Sequence, residues 1–165
     1  DRFDVNPAPA VIDVEAHATR FGRVPAHVRH GGDRPFYAAS TDHVQMPPKP
    51  AFRDMTQYYA TLAHELGHWT RHPDRLDRDF GQKRFGDAGY ALEELVAELC
   101  SAFVGATIGL PAEHLEDHAS YIAHWLQVLN NNPCAFLTAA GKAQVAADYL
   151  LRLMGESSLS VEPDD

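Results

Sequence analysis

The feature that most constrains this chain is the run "LAHELGHWTRH", residues 62–72, in which His64, Glu65 and His68 stand in the order H-E-x-x-H. From Asp54 onward the apolar period is about 3.6, so Tyr58, Leu62, Leu66 and Trp69 share one helical stripe and His64, His68 and His72 another. Residues four apart on a helix lie one above the other, so His64 and His68 can direct imidazole nitrogens at one ion. Glu65 sits about 100° round the helix, beside the ion without binding it, where a general base acting on a metal-activated water belongs.

Two ligands do not complete a site. His72 lies one further turn along, about 6 Å, so three histidines at this spacing cannot converge. Asp74 stands where H-E-x-x-H-x-x-G-x-x-H enzymes keep their third ligand, but Arg71 holds the position where that arrangement needs a glycine to turn the chain. The remaining candidates lie in "EELVAE", residues 93–98. Glu94 and Glu98 are four apart on one face of a predicted helix, so one can bind the ion while the other accepts a hydrogen bond from the far nitrogen of a ligand histidine. The preferred ligand is Glu94. Helical phase alone does not separate it from Glu98, and Glu93 is also a candidate. Two histidines and a glutamate with an open fourth position form a catalytic zinc shell, so Zn2+ is the expected cofactor.

The rest of the chain reads as α+β. A short helix in "VIDVEAHATRFG" precedes three extended runs, "VPAHVRH", "PFYAAS" and "DHVQMP", parted by turn residues; they predict a small, mostly antiparallel N-terminal sheet packed on the histidine helix. Pro73 is expected to stop that helix, and "PDRLDRDFGQKRFGDAG" to form a polar loop. A helical C-terminal half follows: "YALEELVAELCSAFVGATIG", with Leu92, Leu95, Val96, Leu99, Phe103 and Ala106 as core, then "AEHLEDHASYIAHWLQVLN" and "AFLTAAGKAQVAADYLLRLM". At 165 residues the chain suits one domain, 1–165, with a flexible acidic tail over about 155–165.

Cys100 and Cys134 fit no zinc spacing and read as reduced core thiols of a cytoplasmic protein; no basic, apolar leader and no membrane-length apolar run is visible. A net charge of −9 opposes direct nucleic-acid binding by this chain. The charge is uneven: Arg71, Arg75, Arg78, Lys83 and Arg84 crowd the loop after the H-E-x-x-H, whereas 85–141 hold no Lys or Arg. The basic run reads as a solvated loop, with guidance of an acidic substrate as the functional alternative.

"HELGHWTRHPDRLDRDF", "RFGD", "YALEELVAELCSAF" and "DHASYIAHWLQVL", in this order, resemble the metallopeptidase domain of ArdC-type antirestriction proteins and plasmid TraC-like primases, a zincin-like fold of polyvalent mobile-element proteins. The resemblance runs from "GGDRPFYAASTDHVQMP" to "AADYLLRL". Glu94 and Glu98 also resemble the E-x-x-A-[D/E/N] element of glutamate-type zincins, which implies Glu94 as ligand and Glu98 as its neighbour's hydrogen-bond partner. Membership further implies an N-terminal single-stranded-DNA-binding domain, absent here, so any DNA role falls to a missing portion or a partner.

The expected activity is zinc-dependent peptide hydrolysis on a peptide or protein substrate, with Glu65 as base. A second oxyanion donor is usual, and Tyr90, His118, Tyr121 and Tyr149 are candidates; His118 and Tyr121 lead because "DHASY" sets both on one helix near an acidic residue. In zincins an edge strand pairs with substrate, a part open to "DHVQMP" or "PFYAAS". His72 reads as a helix C-terminal histidine. The competing reading is a non-catalytic, zinc-containing module that occludes a DNA-processing partner; within enzymes it is hydrolysis of a non-peptide amide.

Overall fold

The computed structural model describes residues 11–81, 87–111 and 113–156. Asp13 accepts the Ala16 N–H at 3.0 Å and starts α1, Val14–Gly22. Three strands follow: β1, His27–His30; β2, Phe36–Ala38; and β3, His43–Met46. A 3-10 turn over Lys49–Ala51 leads to α2, Met55–Trp69, capped by the Asp54 carboxylate on the Gln57 N–H. The other helices are α3, Ala88–Ile108; α4, Glu113–Val128; and α5, Pro133–Met154.

The fold is α+β, as expected, but the sheet is mixed. Its order is β1-β3-β2, with β2 antiparallel to β3 and β1 parallel to it, His27 opposite His43 and His30 opposite Met46. The chain leaves β1 through Gly31 and Gly32, both at positive φ, and crosses to the far side of β3 before β2 begins. A strand-by-strand reading of three consecutive runs does not see that crossing. It makes β3 central, with His43, Val44 and Met46 buried, and leaves β2 as an edge. "DHVQMP" is thus the middle strand and "PFYAAS" carries the edge.

Helix α3 is the axle, packing against α2, α4 and α5. Leu95, Val96 and Leu99 are buried as expected; Leu92 and Phe103 are half-buried, and Ala106 is exposed because α3 nears its end at Gly109 (φ 79°). Gly67 of α2 lies against α3: a Cβ there would meet Ala97 Cα at 3.2 Å. Cys100 is buried at this contact, whereas Cys134 is exposed in the first turn of α5, where its N–H is held by Asn132. No described helix is long and apolar enough to cross a membrane. Lys83, Arg84 and the tail beyond 156 lie outside the described residues.

Helix α2 ends at Trp69, three residues before His72. The carbonyls that would continue it are taken from elsewhere: Trp69 O accepts Arg75 Nε at 2.6 Å, and Thr70 O the Leu76 N–H at 2.9 Å.

Candidate metal centre

His64 and His68 project from α2 with their Nε2 atoms 3.2 Å apart. Glu94 reaches across from α3 and straddles them, Oε2 lying 3.4 Å from His64 Nε2 and Oε1 3.3 Å from His68 Nε2. A tetrahedral metal with bonds of ~2.0–2.1 Å has ligand–ligand edges of roughly 3.3 Å. Each imidazole nitrogen stands at about that separation from the other and from one Glu94 oxygen, and one donor atom from each of the three residues lies within 4.8 Å of the other two, so two imidazoles and a carboxylate fit one zinc ion.

Each histidine is fixed from behind by a different glutamate. His64 Nδ1 lies 3.1 Å from Glu98 Oε1, and His68 Nδ1 lies 3.1 Å from Glu93 Oε1. Holding Nδ1 turns Nε2 into the cleft and makes it the free, basic nitrogen. The three glutamates of "EELVAE" thus occupy three places: Glu94 at the convergent donor atoms, Glu98 and Glu93 behind one ring each.

Both rear carboxylates are anchored in turn. Arg78 donates Nε and Nη2 to the two oxygens of Glu93, each at 2.7 Å, and its Nη2 also reaches Gly67 O at 2.9 Å. Sequence reasoning left Arg78 in a solvated basic run; its only signal was that charge surplus. Glu98 Oε2 is bound by His118 Nδ1, while His118 Nε2 meets Ser101 Oγ at 3.1 Å, and Ser101 donates to Ala60 O. His118, a candidate oxyanion donor from sequence, therefore has both nitrogens engaged, Nδ1 on Glu98 and Nε2 on Ser101.

Electrostatics follow from this crowding. Burial disfavours charge on both histidines, but the adjoining carboxylates outweigh it: His64 is raised well above its usual pKa, and His68 is raised to about 9 by Glu93 and Glu94. Burial alone would raise Glu94 and Glu98, yet their hydrogen bonds to the histidines lower both, Glu98 to about 2. Glu65 goes the other way. It is 6% exposed, burial raises its pKa, and His64 and His68 offset this only in part.

A cleft runs over these residues in two lobes. One, of 370 Å³, is bounded by Glu65, His64 and Glu94 and by Thr61, Tyr121 and Trp125; the other, of 280 Å³, adds Phe36, Tyr37, Arg71 and Tyr90. Edge strand β2 thus borders the cleft through Phe36 and Tyr37. Tyr121 is 57% exposed at the rim. Tyr90 hydrogen-bonds Glu94, and burial, reinforced by that carboxylate, pushes its hydroxyl up to about 12. Tyr149 packs near Trp69, outside the linings of both lobes. His72 accepts the Asp74 N–H, and the Asp74 side chain is 88% exposed, so neither joins the cluster. Among the described residues, His64, His68 and Glu94 are the group whose donor atoms converge.

The family model for zincin-like metallopeptidases matches residues 15–142, a span holding every residue of this cluster. A Sinorhizobium fredii protein designated y4eC is 50% identical over 123 residues, 74% of this chain and 40% of that protein. The DNA primase TraC of Escherichia coli is 44% identical over 127 residues, 76% of this chain and 12% of the primase. The Mn(II)-bound crystal structure of the antirestriction protein ArdC from the R388 plasmid superposes with a TM-score of 0.71 at 34% identity, covering 90% of this chain and 55% of ArdC; its metal-free structure gives 0.68. The chain thus spans from about an eighth to about half of the length of these relatives. On sequence and fold together, the chain belongs to the zincin-like metallopeptidase family.

Proposed function

We propose that this chain is a zinc-dependent peptidase unit, of the kind carried by larger mobile-element proteins such as ArdC and TraC. The observation that carries the reading is the meeting of His64, His68 and Glu94 beside a buried Glu65, in a cleft bordered by an edge strand. These three residues would hold the metal, which supplies Lewis acidity toward water and a substrate carbonyl.

The protein's residues do the rest. Glu65 takes the proton from the attacking water, and its raised pKa makes it a stronger base than a solvated carboxylate. It then returns that proton to the departing amine. Glu98 and Glu93 hold the histidines in one tautomer and one orientation. Tyr90 suits the part of second oxyanion donor: its hydroxyl lies at Glu94 and stays protonated through the working pH range. His118 positions Glu98, and Tyr121 forms the rim. The free edge of β2 can take an extended substrate by strand addition.

A structural zinc site has no use for a buried carboxylate beside the ligands, so Glu65→Gln is the discriminating variant. Zinc-loaded wild type is expected to cleave casein or a peptide library, and Glu65→Gln to keep zinc while losing at least about 100-fold in rate. Equal rates in the two proteins would refute the assignment.

A further inference from the structure

The cleft is chemically unlike at its two ends. On the Thr61 side the lining is more apolar, with Trp125, which is 6% exposed, Tyr121 and Ala60 beside Gln57 and His118. Beyond His68 it is polar and holds Arg71.

The three described arginines of the segment between α2 and α3 have different fates. Arg75 is spent on Asp42, on Trp69 O and on the Trp69 ring, 3.9 Å from its centroid. Arg78 is spent on Glu93. Arg71 is half-buried, 5.6 Å from the Tyr37 ring centroid, and no described carboxylate pairs with it. The carboxylates of the cleft, Glu65, Glu94 and Glu98, lie at the histidines, and Arg71 is the arginine among its lining residues. Glu94 and Glu98 are neutralised by the histidines they adjoin, whereas the Arg71 charge is left available to an anionic substrate group at a point away from the metal ligands.

Resting on the peptidase reading, we infer that the substrate is a peptide that places a carboxylate against Arg71 and an apolar side chain in the Trp125 lobe, on opposite sides of the metal. Thr61 and the end of α2 at Trp69 are separated by roughly 12 Å at ~1.5 Å rise per helical residue, and Arg71 lies two residues further on. An extended peptide advances ~3.3 Å per residue, so the two side chains stand about four or five residues apart. The carboxylate can come from an acidic side chain or from a chain terminus. Arg71 pairs with either in the same bidentate way.

The test uses zinc-loaded Glu65→Gln protein, which binds without turnover, and fluorescein-labelled peptides carrying Leu and, four or five residues away, Glu, Gln or Lys, with amidated ends. A second set lacks acidic side chains and ends in a free carboxylate. Fluorescence anisotropy is expected to favour a carboxylate peptide over its neutral twin by about tenfold or more, as a charge-assisted pair does. Adding Arg71→Gln should erase the preference, and adding Arg71→Glu should transfer it to Lys. Preference within the amidated set assigns a side chain; preference confined to the free-ended set assigns a terminus. An unchanged preference for Glu in Arg71→Glu, or no binding by any peptide, overturns the inference. If wild type cleaves casein without charge selection, the peptidase reading stands and this inference falls. If binding follows Arg71 but zinc-loaded wild type cleaves neither the bound peptides nor casein, the carboxylate site stands as a peptide-binding site and the peptidase reading falls.

Discussion

Arg78 grips both carboxylate oxygens of Glu93 at 2.7 Å, in a pair whose side chains are 4% and 1% exposed. Glu93 in turn holds His68 Nδ1, so a loop arginine fixes the orientation of a histidine at the candidate centre. Removing one member of a buried ion pair strands the other and costs about 3–5 kcal/mol. Arg78→Met and Glu93→Gln should each lose about that much in urea melts of the metal-free protein, and each should weaken zinc binding by roughly 10–100-fold. An Arg78→Met protein with wild-type stability and affinity would show the pair to be incidental.

The ligand division is tested on α3. Glu94 alone faces both Nε2 atoms, whereas Glu98 lies behind His64. Competition against a chromogenic chelator should find one zinc per wild-type chain and little or none in Glu94→Ala. Glu98→Ala should retain the site with affinity lowered by roughly 10–100-fold. The reverse pattern would exchange the two roles.

Proton and metal compete for the same nitrogens, and this sets a pH signature. His68 has a folded pKa of about 9, above its ordinary 6.5, because Glu93 and Glu94 outweigh the penalty of burial. A raised folded pKa contributes stability that is full below 6.5 and is lost as pH climbs through about 9. Metal-free protein should therefore melt progressively lower across that window. Zinc needs unprotonated imidazole, so its binding strengthens over the same range. The gap in Tm between zinc-loaded and metal-free protein should widen from pH 6.5 to 9, measured by differential scanning fluorimetry in chelator-buffered zinc. A gap that narrows contradicts the ion-pair origin of the shift.

What could be read from sequence was what is local. The H-E-x-x-H spacing and the helical period of α2 and α3 depend on residues a turn apart, and they locate the cluster. Helical phase alone does not separate Glu94, the preferred ligand, from Glu98 or Glu93, because α3 crosses close over α2 and acids on different sides of α3 all reach the two histidines. His118 meets Glu98 through the packing of α4 on α3, and Arg78 returns from a loop; neither contact has a period to betray it. The parallel β1–β3 pairing depends on a crossing set by Gly31 and Gly32, which turn chemistry marks but does not direct. Arg71 stood out from sequence only as part of a charge run, and its difference from Arg75 and Arg78 lies in where the chain turns after Trp69.

That close crossing makes Gly67 the last point of test. Its missing side chain lets α2 approach α3: a Cβ would stand 3.2 Å from Ala97 Cα and 3.5 Å from Cys100 Cβ. The first of these is backbone and cannot swing aside, so Gly67→Ala must part the helices by a few tenths of an ångström. Against this, alanine favours the helix over glycine by about 1 kcal/mol. Overpacking typically costs about 1–3 kcal/mol, so a net loss of up to about 2 kcal/mol is expected in denaturant melts. The more telling effect is on the metal. His64 and His68 lie on one of the parted helices and Glu94 on the other, so zinc affinity should fall together with stability, although Gly67 is no ligand. Ala97→Gly offers the complement: it removes a methyl 3.6 Å from where the added Cβ would stand, and combined with Gly67→Ala it should recover part of the zinc affinity. If Gly67→Ala binds zinc like wild type, the close approach of α2 and α3 is not what sets the ligand geometry.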